Sequence, residues 1–158
     1  MRRKHLIVSL LVSCVAAVAS ESYTPPEDTG GDRWQYVRVY LTPIKAASQA
    51  SGSAAFVCNM DETLHRVTVY VKGLTPGATY SLWLYNLDAA GKAKASARLG
   101  RYNYVKADPR GVLSYDTSLD FCVAGKYNVL SVYWQPGANP RDVKAAVPAL
   151  RGDIKTDE

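Results

Sequence analysis

Few residues in this chain have side chains suited to catalysis or metal binding. His65 is the only histidine beyond the first few residues, and it follows the acidic pair Asp61-Glu62. An acid, an imidazole and one of the many serines suggest a nucleophilic triad. That chemistry needs a base held against its nucleophile and a third group orienting the base, and the chain has no Gly-x-Ser-x-Gly elbow to supply the nucleophile. His65 therefore reads as a solvated residue at the foot of a strand. Asp61-Glu62 reads as a turn, with no second carboxylate placed at glycosidase separation. No Asp-x-Asp-x-Asp-Gly calcium loop occurs either. The expectation is no catalytic residue, no metal site and no cofactor.

The sulfur atoms offer different chemistry. Of three cysteines, Cys14 lies in the apolar run Leu6–Ala19, which follows Arg2-Arg3-Lys4-His5 and ends in the small residues Ala17-Val18-Ala19-Ser20. This is the anatomy of a secretory signal peptide over residues 1–20, too short to span a bilayer comfortably. A second reading takes Leu11-Val12-Ser13-Cys14 as a lipidation site, with Cys14 anchoring the protein to a membrane surface. Under either reading Cys58 and Cys122 remain in an exported chain, where two cysteines pair or stay buried as small apolar residues. As a disulfide they close a loop of roughly 65 residues, worth about 4 kcal/mol by loop entropy.

Removing the signal also changes the charge. The full chain carries 19 basic and 14 acidic residues, but Arg2, Arg3 and Lys4 leave with the leader, so the mature excess is small. A phosphate-tracking surface needs a strong positive stripe, so nucleic acid is not an expected partner. The mature length suits one domain. Residues 21–32, with Pro25-Pro26, Gly30-Gly31 and four acids, form a flexible leader to a domain over 33–158.

The elements within that domain are strands. Arg66–Leu87 reads as two strands joined by a tight turn. Val67, Val69 and Val71 alternate with Arg66, Thr68, Tyr70 and Lys72. Thr75-Pro76-Gly77-Ala78 then favours a type II turn. Tyr80–Leu87 is apolar on both faces, as a central strand is. Trp34–Ile44, Ala54–Met60, Ala95–Lys106, Val112–Leu119, Tyr127–Gln135 and Val147–Ile154 are also strand-like. Ala46–Ser53 is a loop, Gly100 a kink and Asp108-Pro109-Arg110-Gly111 a type I turn. Seven or eight short strands without an amphipathic helix predict an all-β fold, an antiparallel Greek-key β-sandwich.

The outward strand faces carry a pattern of their own. Tyr36, Arg38 and Tyr40 share one side of their strand; Arg66, Tyr70 and Lys72 share the side opposite the valines; Tyr127 and Tyr133 face away from Leu130, Val132 and Trp134. Neighbouring strands would merge these into a surface of tyrosines interleaved with basic groups, suited to a glycan, an anionic polymer or a protein. The plainer reading is that tyrosine favours strands and makes cross-strand pairs. Arg151-Gly152-Asp153 spells an adhesion tripeptide in the closing strand or its frayed end.

The segment Val69 to Gly77, with Gly-Leu-x-Pro-Gly, then Leu99-Gly100 and the Asp-x-x-Gly turn at Asp108 and Gly111, resembles the landmarks of copper/zinc superoxide dismutases and related CHRD-like extracellular domains. Tyr80–Leu84 with the later Leu-Gly also resembles the extracytoplasmic domain of anti-sigma-K factors. The first resemblance implies a Greek-key β-sandwich and a copper and zinc site. However, the strand on which that family carries its first His-x-His pair here reads Leu82, Trp83, Leu84, Tyr85, and none of these replaces an imidazole ligand. The functional expectation is an exported, non-catalytic module with a binding or structural role and a protein or glycan partner. The alternatives are a degenerate dismutase-like metal enzyme and a membrane-anchored lipoprotein.

Overall fold

The computed structural model describes residues 34–45, 49–59, 63–137 and 145–155. The expected signal peptide, its Cys14, the leader and Asp61-Glu62 lie outside the described residues. The described chain is all-β. Its nine strands are β1 (Trp34–Pro43), β2 (Ser51–Asn59), β3 (His65–Lys72), β4 (Thr79–Leu87), β5 (Ala93–Arg98), β6 (Tyr104–Lys106), β7 (Leu113–Leu119), β8 (Val129–Gln135) and β9 (Val147–Asp153). All pairings are antiparallel, and the strands follow the order β5-β4-β8-β9-β1-β2-β3-β7, with β6 beside β4.

Alternation along β1, β2, β3 and β7 gives this half of the sheet one inner face, which packs on the core. β3 is buried at every second residue, with Val67, Val69 and Val71 inside and Arg66, Thr68, Tyr70 and Lys72 outside. Val37, Val39 and Leu41 of β1, Phe56 of β2, Leu82 and Leu84 of β4, Leu113 of β7, Leu130 and Val132 of β8 and Leu150 of β9 join the same buried cluster. Each such side chain contributes about 1.5–3 kcal/mol by leaving water. β1 is the shared element. Trp34–Leu41 pairs with β2, while Thr42 and Pro43 pair with Arg151 and Leu150 of β9.

Three expectations change. Nine strands form because the stretch Ala95–Lys106 splits at Gly100, whose φ of +79° breaks it into β5 and β6 along one edge of β4. β2 begins at Ser51, so Ser51–Ser53 belong to a strand rather than to a loop. Their side chains are small and polar, yet they pair with Tyr70, Val71 and Lys72 of β3.

The third change concerns the turn at Thr75–Ala78. It forms as expected, with the Ala78 N–H donating to the Thr75 carbonyl at 3.2 Å and φ of +69° at Gly77. Yet β3 and β4 are not paired. β3 lies between β2 and β7, and β4 lies between β8 and the β5/β6 edge. The reversal carries the chain from one half of the sheet to the other. It is held there by the Gly111 and Ala107 carbonyls, which accept from the Leu74 and Gly77 N–H groups at 3.0 and 3.1 Å. The Asp108–Gly111 turn closes as expected, with the Gly111 N–H donating to the Asp108 carbonyl at 2.9 Å.

Cys58 and Cys122 are bonded, with Cα atoms 5.4 Å apart across a sequence separation of 64. The bridge ties the end of β2 to the segment that follows β7. It therefore spans β3, which lies between those strands.

Candidate binding surface

Strand register decides which of the tyrosine and basic residues meet. On the outer face of β1, β2, β3 and β7, Tyr36, Val57, Arg66 and Ser118 form one row, and Arg38, Ala55, Thr68 and Asp116 the next. Tyr40, Ser53, Tyr70 and Ser114 form a third. The groups expected on β1 and β3 therefore share one face, separated by the small residues of β2. Neighbouring strands lie about 4.8 Å apart, so Tyr40 and Tyr70 stand about 10 Å apart across Ser53. Tyr40 is 68% exposed and Tyr70 49%. The result is a shallow trough with aromatic walls and a floor of Ser53 and Ala55.

Of the three charged members, Arg38 and Arg66 have polar neighbours on this face. The Tyr40 and then the Tyr36 side chain beside the exposed Arg38 guanidinium push its pKa above the usual arginine value. Arg66 donates to Asp116 at 2.9 Å, and the Thr68 hydroxyl donates to the same carboxylate oxygen at 3.3 Å. Both partners of that ion pair are exposed, so its contribution to stability is small. Lys72 lies on the same outer face of β3, opposite Ser51.

Tyr133 is not part of this surface. β9 separates β8 from β1, so Tyr133 falls on the other half of the sheet. It is half-buried there, edge-on to Tyr85 with ring centroids 6.3 Å apart. Burial first, and then a hydrogen bond with Tyr133, push the Tyr85 hydroxyl pKa up. Tyr127 precedes β8 and packs its ring on Phe121 at 5.5 Å. A register shift at Val132/Tyr133 interrupts the alternation of β8, and Trp134 is 40% exposed at its end rather than buried with Leu130 and Val132.

Next to the trough, β1 and β9 part to leave a cleft of about 760 Å³. Tyr36, Arg38 and Tyr40 line one side, and Arg151, Asp153 and Lys155 the other. The adhesion tripeptide lies here inside a strand. Gly152 is buried, and Arg151 donates to Asp153 at 3.3 Å. Sequence reading missed the contributions of Ser53, Ala55, Arg151 and Lys155. The alternation Ser53, Ala55, Val57 against Ala54, Phe56, Cys58 carried a signal for β2. Nothing local told which strand β9 would join.

His65 is buried at 8% exposure rather than solvated, because β3 starts at this residue with the inward phase of its alternation. Its Nδ1 and the Asn103 Oδ1 are buried without a hydrogen-bond partner among the described residues. No group of three or more His, Cys, Asp or Glu side chains among the described residues is placed to hold a metal ion. No helix among them is long and apolar enough to cross a membrane. No protein-family model matches this chain, and no curated protein matches it in sequence.

Proposed function

We propose that this chain is an exported, non-catalytic binding module whose contact surface is the trough between Tyr36, Arg38 and Tyr40 on β1 and Arg66, Tyr70 and Lys72 on β3. The carrying observation is the single row Tyr40, Ser53, Tyr70, in which two exposed tyrosines flank a small residue. Tyrosine presents broad amphipathic area at low entropic cost, and flanking cations add reach toward acidic groups. The partner is a protein or a glycan. Nucleic acid does not fit a mature chain with so small a positive excess.

Export is supported by the signal-like N-terminus and by the Cys58–Cys122 bridge, which suits an oxidising, extracytoplasmic compartment. The mature protein is then secreted or periplasmic. Mass spectrometry of its N-terminus distinguishes cleavage after Ala19 or Ser20 from acylation at Cys14.

The test of the module is a binding screen of the purified mature chain against glycans and extracellular protein extracts, repeated with Tyr40→Ala and Tyr70→Ala. These exposed substitutions change stability by less than about 1 kcal/mol. Loss of a captured ligand in both variants, with folding intact, supports the reading. Retention of every ligand in both variants overturns the trough as the contact surface. Stoichiometric copper or zinc in the purified protein would instead favour a dismutase-like enzyme.

A further inference from the structure

β1 is laddered to β2 from Trp34 to Leu41, but to β9 only at Thr42 and Pro43. β9 continues past Arg151 along β8 alone. Gly152 marks where the two strands separate. A Cβ there would stand 2.5 Å from the Tyr40 carbonyl oxygen and 2.5 Å from Val39 Cγ1, so only a glycine lets β9 press against β1 at this point. On the far side of Gly152 the strands diverge. Among the described residues no strand pairs with β1 on that edge before Thr42, and the Arg38 backbone groups turn toward it, on the same side as the Tyr40 carbonyl that meets Gly152.

An open edge offers a row of backbone N–H and C=O groups at strand spacing, and folded proteins usually cover such edges or use them to bind an added strand. The charges around this edge are unbalanced. Arg38, Arg151 and Lys155 line the cleft, Asp153 is the only carboxylate lining it among the described residues, and Asp153 is engaged with Arg151. Tyr36 and Tyr40 flank Arg38 along β1 on the same outward face.

We propose that the cleft between β1 and β9 receives an extended acidic polypeptide segment, which adds to the open edge of β1 as a further strand. The proposal rests on the binding-module reading and names its partner class. A polypeptide matches the alternating donors and acceptors of a strand edge, which the hydroxyls of a glycan do not. The surplus of Arg38 and Lys155 selects acidic side chains.

Hydrogen exchange and titration on the full mature chain test this with three probes. One is a peptide of alternating Glu and Val about ten residues long, one is its Lys–Val counterpart, and one is polygalacturonate, a polyanion with no amide edge. The Glu–Val peptide is expected to slow exchange of the Arg38 backbone amide, which faces the open edge, and to bind at least about ten-fold more tightly than Lys–Val at low salt. Arg38→Glu and Lys155→Glu each weaken it by about ten-fold, whereas Arg98→Glu on exposed β5 does not. N-methylating the probe amides that face β1 abolishes binding.

Equal binding of the N-methylated peptide overturns the proposal. So does protection by polygalacturonate but not by Glu–Val, although the module reading then survives with a glycan partner. Protection that grows with protein concentration, without any probe, assigns the cleft to a second copy. Complete protection in the probe-free monomer assigns it to the chain itself. Either result overturns the proposal, as does failure of all probes; the module reading is then decided by the Tyr40 and Tyr70 variants.

Discussion

The Tyr115 hydroxyl on β7 lies 2.8 Å from the carbonyl oxygen of Leu99, in the link between β5 and β6. The Tyr102 carbonyl is 2.7 Å from the same hydroxyl. β7 and the β5/β6 edge are the two extremes of the strand order, and β6 lies against β7, so this phenol joins the ends of the curled sheet.

Tyr115→Phe keeps the ring and removes that join. The expected cost is about 1–2 kcal/mol in urea unfolding, because two carbonyls lose a shared donor. An unchanged midpoint would show that the ends of the sheet are held by packing alone.

Gly100→Ala is expected to cost more than Gly91→Ala, although both glycines have nearly the same positive φ, +79° and +78°. A Cβ at Gly91 meets nothing within 4 Å, whereas at Gly100 it would come within 2.5 Å of Thr117 Oγ1 and 2.8 Å of the Tyr115 hydroxyl oxygen. The φ penalty of roughly 1 kcal/mol is common to both, so the difference in denaturation free energy isolates the clash. Thr117→Ala combined with Gly100→Ala is expected to recover part of it.

Reducing the Cys58–Cys122 bridge, or replacing both residues with alanine, is expected to remove about 4 kcal/mol of stability through the freed loop. Chemical denaturation with and without reductant measures this. Equal midpoints would mean the bridge contributes little to the folded state.

High pH is expected to destabilise the protein through two half-buried phenols. Burial and the bond to Tyr133 raise the Tyr85 pKa, and burial raises that of Tyr115, so folding favours the neutral form of each. This contribution is complete below the unfolded value of roughly 10 and is lost as pH rises from there toward the folded values. Tyr85→Phe is expected to flatten the fall of unfolding free energy above pH ~10. A parallel fall in the variant would rule Tyr85 out as the cause.

Low pH acts through a different group. The Val112 N–H, and then that of Arg110, donate to the Asp108 carboxylate and hold its pKa down, with the Arg110 side chain adding to the effect. Stability from this turn is present above the ordinary carboxylate value and lost as pH falls through the lowered one. Asp108→Ala is expected to lower stability at neutral pH and to weaken the acid dependence, read from thermal melts across an acid series.

Much of the fold was legible because burial follows period two. Val67, Val69 and Val71 announced the inner face of β3, and Pro76-Gly77 and Asp108-x-x-Gly111 announced their turns. Pairing was not legible. The Gly-Leu-x-Pro-Gly turn looks the same whether it closes a hairpin or crosses to another part of the sheet, and only the competition of β7 for the edge of β3 decides it. Ser51–Ser53 were hidden for a related reason, since small polar residues carry no propensity for a strand until larger neighbours flank them. The shared face of Tyr36, Arg38 and Tyr40 with Tyr70 depended on β2 intervening, and the exclusion of Tyr133 depended on β9. Both are long-range facts.

The bridge from Cys58 to Cys122 also bears on how the molecule survives proteases. A single cut at any exposed link between those residues, such as the loop around Ala90 or the Pro109-Arg110 tip, leaves both fragments covalently joined. A nicked copy would keep β1, β3 and β9 on one connected particle.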